Sequence, residues 1–234
     1  MTIPDAESHG LSQRSAALTA GFGLLTMTLC APFAFFHFLP SVVVEGDAAA
    51  TVERFRTSGA GYVFGAFLLF ITYVMDIVVA WALYWLLRPS QPALSQITAW
   101  MRLVYTTLAF VGLMATFSAY DLANTIELEA TTSPAALQAH VLFQMDAADT
   151  ITDVALLFFG LHLLVLGLAL WRAPQVPNWA SIAVALGGAS YVIMHSAQYF
   201  APGLSLGWLM ILALGELLFM FWLLIAGWRL PRHA

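Results

Sequence analysis

Six stretches of this chain are each long and apolar enough to cross a bilayer, and little sequence is left between them. They fall at about 16–39, 61–87, 97–120, 149–171, 179–199 and 206–228. A hydrocarbon core about 30 Å thick needs roughly 20 helical residues at about 1.5 Å each. Inside lipid the backbone must satisfy its own polar groups, so each stretch is a helix. The residues are 61% hydrophobic and 9% charged, against about 25% charged in a soluble domain. The expected fold class is therefore all-α: a polytopic six-helix transmembrane bundle forming a single integral membrane domain over 1–234.

Composition removes several functions. All eight basic residues are arginines, so no lysine is present for a retinal or pyridoxal Schiff base or as a nucleophile. A formal charge of −5 gives no reason to expect nucleic acid as a partner. Cys30 stands alone and forms no internal disulfide. The first apolar stretch, about 24 residues long, exceeds the 7–15 of a cleavable signal and reads as a retained span.

The arginines set an expected orientation. With six spans, Arg14, Arg88, Arg102, Arg172, Arg229 and Arg232 fall on one side, and Arg54 and Arg56 on the other. The positive-inside rule then places both termini in the cytoplasm, with the chain in a bacterial inner (cytoplasmic) membrane. The connections on that side are short and proline-punctuated: Pro89-Ser-Gln-Pro92 and Pro174-Gln-Val-Pro177. The outer connections are longer and acidic. A short helix capped by Asp47 is expected in the first. A second begins at Ser133-Pro134, with room to run into the fourth span. The two together form a cap.

Three spans leave the membrane through nearly one sequence: Leu-Leu-Arg-Pro at 86–89, Trp-Arg-Ala-Pro at 171–174 and Trp-Arg-Leu-Pro at 228–231. Each carries one ionisable residue upstream of its arginine. Asp76 lies 12 residues before Arg88, His162 lies 10 before Arg172, and Glu216 lies 13 before Arg229. All three sit about 15–20 Å above the arginine level, near mid-membrane, where an ionisable group is a functional candidate by default. Spans two and three, with their Arg-Pro turn, also resemble spans four and five with theirs, a weak repeat of the kind that builds sites at repeat interfaces. The recurrence fits equally the gathering of arginine, tryptophan and proline at any membrane interface.

Asp76-Ile-Val-Val-Ala-Trp-Ala-Leu-Tyr-Trp-Leu-Leu-Arg-Pro89, Met101-Arg-Leu-Val104, Phe159-Gly-Leu-His-Leu-Leu-Val-Leu-Gly167 and Gly215-Glu-Leu with Trp222-Leu-Leu-Ile-Ala-Gly227 follow in order along the chain. Together they resemble the bacterial membrane family catalogued as domain of unknown function 4386, over roughly 16–230. The resemblance implies a six-helix bacterial membrane protein and no reaction. The turn after the fourth span, Arg-Ala-Pro-Gln-Val-Pro, departs from the serine-glycine turn commoner in that family.

Two constellations are candidates for chemistry. The first is the mid-membrane layer of Asp76, His162 and Glu216 with Arg102. Asp76 shares a stripe with Gly61, Gly65 and Thr72, small and polar residues that mark a packed face. Arg102 shares one with Thr106, Ala109, Leu113 and Thr116, and either pairs with the carboxylates or snorkels to the headgroups. This set is the expected ligand- or ion-binding site. The leading functional expectation is a protein that binds, senses or moves a small ligand or ion and is not an enzyme. Polar residues that merely tie helices together are the structural alternative.

The second lies at the outer end, where Asp146, Asp149 and Asp153 share a face of the fourth span. Gly160 continues that face, and His162 is expected on the opposite one. His37, Asp149, Asp153 and His195 form an alternative metal set, suited to zinc or another divalent ion in a hydrolase acting on a lipid or hydrophobic substrate. The same aspartates also fit a solvated first turn at the positive end of a helix. No cofactor is expected under the leading reading. Membrane lipids are the expected partners, with a second copy or a larger membrane complex as further ones.

Overall fold

A computed structural model describes residues 10–125, 132–201 and 203–231. Arg232, counted above for orientation, and Glu127 and Glu129 of the acidic connection before the fourth span lie outside them. Helix α1 spans Gln13–Phe33 and opens on Ser12, whose hydroxyl accepts from the Ser15 N–H at 3.2 Å. Pro32 lies inside it, lacks an N–H and crowds the carbonyl four residues back. The chain answers by rewinding, through a π-helical turn at Ala34–Phe38 and a 3-10 turn at Leu39–Val42. The first span thus reaches Val42. Gly46, at φ 75°, turns the chain into α2 (Ala48–Ser58), whose first-turn Ala50 N–H is capped by Asp47 at 2.9 Å.

The remaining elements are α3 (Ala60–Leu87), α4 (Pro92–Asn124), α5 (Pro134–Trp171), α6 (Asn178–Phe200) and α7 (Met210–Ala226). Short 3-10 turns flank α7 at Gly207–Leu209 and Gly227–Arg229. Six of these helical runs are candidate membrane spans, and no strand occurs among the described residues. Ser133 caps α5, and that helix does run unbroken from the cap into the membrane. The third span begins at Pro92 and not near 97, because Pro92 opens a helix at its first position as readily as it ends a turn.

The spans form a ring in chain order. Each packs on its neighbours in sequence, and α1 closes the circuit against α7. Short connections force neighbouring spans antiparallel. The Arg-Pro exits share one end, here the terminal end. At the other, far end, α2 packs on α4 and α5 in a small separate core of Val42, Val52, Phe55, Tyr62, Ala119, Ala123, Leu137 and Val141.

The two Arg-Pro turns are clamped to each other reciprocally. Gln91, three residues after Arg88, donates to the Arg172 carbonyl at 3.3 Å. Gln175, three after Arg172, donates to the Leu86 carbonyl at 3.3 Å. The third exit has no covalent turn, yet the Arg14 N–H donates to the Pro231 carbonyl at 3.2 Å. The Arg14 guanidinium also lies 4.4 Å over the Trp228 ring. The ring is thus three antiparallel pairs, α3–α4, α5–α6 and α7–α1, the third joined by a hydrogen bond. The sequence repeat of two pairs extends to a third.

Candidate functional site

The first helix of each pair carries its ionisable residue to the same level: Asp76 on α3, His162 on α5 and Glu216 on α7. Arg102 enters from α4, ten residues past Pro92, so it lies nearly three turns deep, and its side chain is fully buried. That depth rules out snorkelling for Arg102. It also removes Arg102 from the arginines that mark the terminal end, leaving Arg14, Arg88, Arg172 and Arg229 there among the described residues.

The guanidinium lies at the middle of the ring. Its Nε and Nη2 both donate to Asp76 Oδ1, at 2.8 and 2.7 Å. Nη1 crosses to Glu216 Oε1 on the opposite span, at 3.0 Å. Nη2 also meets Met27 Sδ on α1 at 3.9 Å, and the Phe159 ring of α5 lies 5.4 Å from the guanidinium carbon. One side chain therefore touches four other spans. A flat, always-charged group with five donors suits this better than lysine.

The Asp76 contact is not the two-oxygen fork usual for arginine and carboxylate. Both N–H groups converge on Oδ1. Oδ2 is buried and has no hydrogen-bond partner, although Tyr105 comes close to the carboxylate. Asp76 is fully buried, while the Glu216 side chain keeps 19% of its exposure. His162 is 1% exposed and stacks on Phe159 with ring centroids 5.8 Å apart. It packs beside the backbone of Thr98, its nearest polar group and one turn from Arg102, and neither ring nitrogen makes a close, well-aligned hydrogen bond. Buried polar atoms are normally satisfied, so three without a close partner at one level are informative.

His162 lies opposite Gly160 on α5, as the spacing predicts, but it is this face and not the glycine face that points into the ring. The residue is interior because α5 is buried on two sides. Gly160 and Gly167 meet α6, where a side chain on Gly160 would lie 2.8 Å from the Gly188 carbonyl. His162 and Leu166, both buried, lie on the other side. The same long helix corrects the aspartates: Asp146 and Asp149 are exposed, and Asp153 is half-buried. At 38 residues, α5 overshoots a bilayer, and its first turns belong to the far-end cap.

Of the alternative metal set, two residues meet. His195 Nδ1 lies 3.0 Å from Asp153 Oδ1. His37 sits in the π-helical turn, edge-on to Phe38 at 4.8 Å. Among the described residues, no three His, Cys, Asp or Glu side chains converge as a metal site requires. Sequence reasoning passed over Phe159 and Tyr105. Each lies three residues from a residue it did single out, the spacing that shares a helix face: Phe159 from His162, Tyr105 from Arg102.

A ring of six spans around one charged arginine defines a polytopic membrane protein with a buried ionic layer. The chain belongs to the family described as Domain of unknown function (DUF4386), whose pattern matches residues 19–227. It is also similar to an uncharacterized protein of the archaeon Archaeoglobus fulgidus, 28% identical over 162 residues, covering 69% of this chain and 83% of that protein. No solved structure matches.

Proposed function

We infer that this protein binds a proton in the buried layer and uses it to sense or move charge across the membrane. The observation that carries the reading is the side-on pairing of Asp76. Two carboxylates share one guanidinium, so the layer, fully ionised, holds one negative charge in excess. The unmatched charge costs about 3 kcal/mol or more at mid-membrane. Asp76 Oδ2, buried and without a partner, is the atom on which an added proton restores balance. A carboxylic acid there becomes a donor, which a carboxylate is not.

The test is a proton count. Purified protein in detergent is stepped across the carboxylate-to-neutral range with an indicator dye. The expected difference between wild type and the Asp76→Asn, Glu216→Gln double variant is about one proton per chain, the excess charge of two acids over one base. Identical titrations would end the reading. A count that collapses only when sodium or potassium is added would assign the position to a metal cation.

The arginines remaining at the terminal end support cytoplasmic termini in the inner membrane. A reporter active only outside the cytoplasm, fused after Ala234, is expected to be silent. The same reporter within residues 125–133 is expected to be active.

A further inference from the structure

The interior on the two sides of the charged layer is built from different chemistry. Toward the terminal end the large buried side chains are Val79, Leu83, Leu86, Leu163, Leu166 and Leu223, each no more than 3% exposed. The buried polar residues there include Ser95 and Thr98, whose hydroxyls bond to carbonyls of their own helix. Toward the far end the buried residues include Tyr62, Thr72, Tyr73, Tyr105, Thr106 and Thr116. A proton travels between polar groups and not through packed leucine. Thr72, Thr106 and Thr116 also bond to carbonyls of their own helices, so what distinguishes the far side is its buried tyrosines, Tyr62, Tyr73 and Tyr105.

We propose that the Asp153–His195 pair is the port through which the buried layer exchanges protons with the far-side water. This rests on the proton-binding reading above. The His195 and Asp153 side chains keep 14% and 30% of their exposure, so the pair is half-covered. Exposed Asp146 and Asp149 continue outward from Asp153 on α5. Inward, the His195 ring stacks on Tyr191 at 5.9 Å, with 10° between planes. Tyr191 meets Phe159 edge-on at 5.4 Å and lies within electrostatic reach of Glu216 and Asp76.

The groups facing the pair are Tyr191 and Gln198 on α6 and Asp149 on α5. Glu216 on α7 lies beyond Tyr191. Histidine is the side chain that takes up and releases protons near neutral pH, and a carboxylate on one ring nitrogen fixes which nitrogen faces onward. In each transfer one His195 nitrogen takes up a proton, the imidazolium so formed releases the proton held on the other, and a turn of the ring returns the N–H that Asp153 favours to its starting place. No bond between heavy atoms changes.

The test is a rate measured on the whole protein in detergent. After a pH jump, dye-reported proton uptake by His195→Ala and by Asp153→Asn is expected to slow on the order of 10²-fold. The final count is expected to fall by no more than the one proton of the group removed, with the layer's own proton retained. Added imidazole is expected to restore the rate of His195→Ala and to leave Asp153→Asn slow, a response that mere loss of packing does not give. Unchanged rates would overturn the port and leave the buried site standing. Absence of uptake in the wild type would overturn both.

Discussion

The two halves of the ring, above and below Arg102, are stabilised in different ways. In the terminal half, Leu86, Leu87, Leu163, Leu166, Leu170 and Leu223 have no exposure at all. Three arginine exits and two glutamine clamps tie its rim together. In the far half, the α6 side chains beyond Ser190 are half-buried or exposed, and buried tyrosines and threonines stand among leucines such as Leu69 and Leu113. Helix association in lipid draws on close packing and not on a hydrophobic drive. The terminal half has that packing. The far half exchanges some of it for polar groups that lead outward, which makes the first half a seal and the second an approach.

The largest effect is expected at the boundary between them. Arg102→Leu leaves Asp76 and Glu216 buried without a countercharge, and removing one partner of a buried ion pair costs about 3–5 kcal/mol. Adding Asp76→Asn and Glu216→Gln to Arg102→Leu is expected to recover much of that loss, since no charge is then stranded. Denaturant unfolding in detergent measures both. If the triple variant is no more stable than Arg102→Leu alone, the three residues do not act as one unit.

The second effect separates seal from approach. Leu166→Ala removes a fully buried side chain and is expected to cost about 2–3 kcal/mol, the lower part of the range for such truncations. Thr116→Val, in the far half, removes a hydroxyl bonded to the Gly112 carbonyl of its own helix at 3.1 Å. It is expected to cost under about 1 kcal/mol. On a Cys30→Ser background, a cysteine at Gln198 is expected to react with a water-soluble thiol reagent, and one at Leu166 is not, because the thiolate forms only where water reaches. Equal reactivity would erase the distinction between the halves.

The spans and the level of the charged layer are legible in the sequence. Spans are announced by twenty-residue apolar runs, and the depth of Asp76, His162 and Glu216 follows from counting back from three arginines. What could not be counted is which face of α5 is interior. Glycine spacing identified its contact with α6 and was read as the whole packed surface. A helix in a ring presents one side to its neighbour and another to the axis, so the glycine face is the α6 contact and the opposite face, with His162, is the axial one. The start of α4 was missed for a different reason: Pro92 was read as a stop when it serves as the first residue of a helix. The tertiary join of Arg14 to Pro231 has no local sequence signal at all, since it links residues at opposite ends of the chain.

A third, intermediate effect lies on the α5–α6 seam, which carries the Asp153–His195 pair. Gly160 and Gly188 face each other so closely that a Cβ on Gly160 would lie 2.8 Å from the Gly188 carbonyl and 2.8 Å from the Val192 N–H. Gly160→Ala therefore pushes backbone against backbone and is expected to cost about 1–2 kcal/mol. It should also slow proton exchange by parting the helices that hold the pair. A stability loss with no change in rate would show that the pair tolerates movement of its seam.

The smallest effect is expected at the rim of the seal. Gln175→Ala frees the Leu86 carbonyl and Gln91→Ala frees the Arg172 carbonyl, each held by one neutral hydrogen bond worth about 0.5–1.5 kcal/mol. The Gln175 change should be the larger, since Leu86 is fully buried and its carbonyl has less recourse to water, whereas Arg172 is exposed. Because the two amides bridge the same pair of turns, losing the first lets the turns part and weakens the second. The double variant should then cost less than the two single losses combined. A strictly additive result would mean that each glutamine only caps a nearby carbonyl. The tightness of the terminal half would then come from its leucines alone.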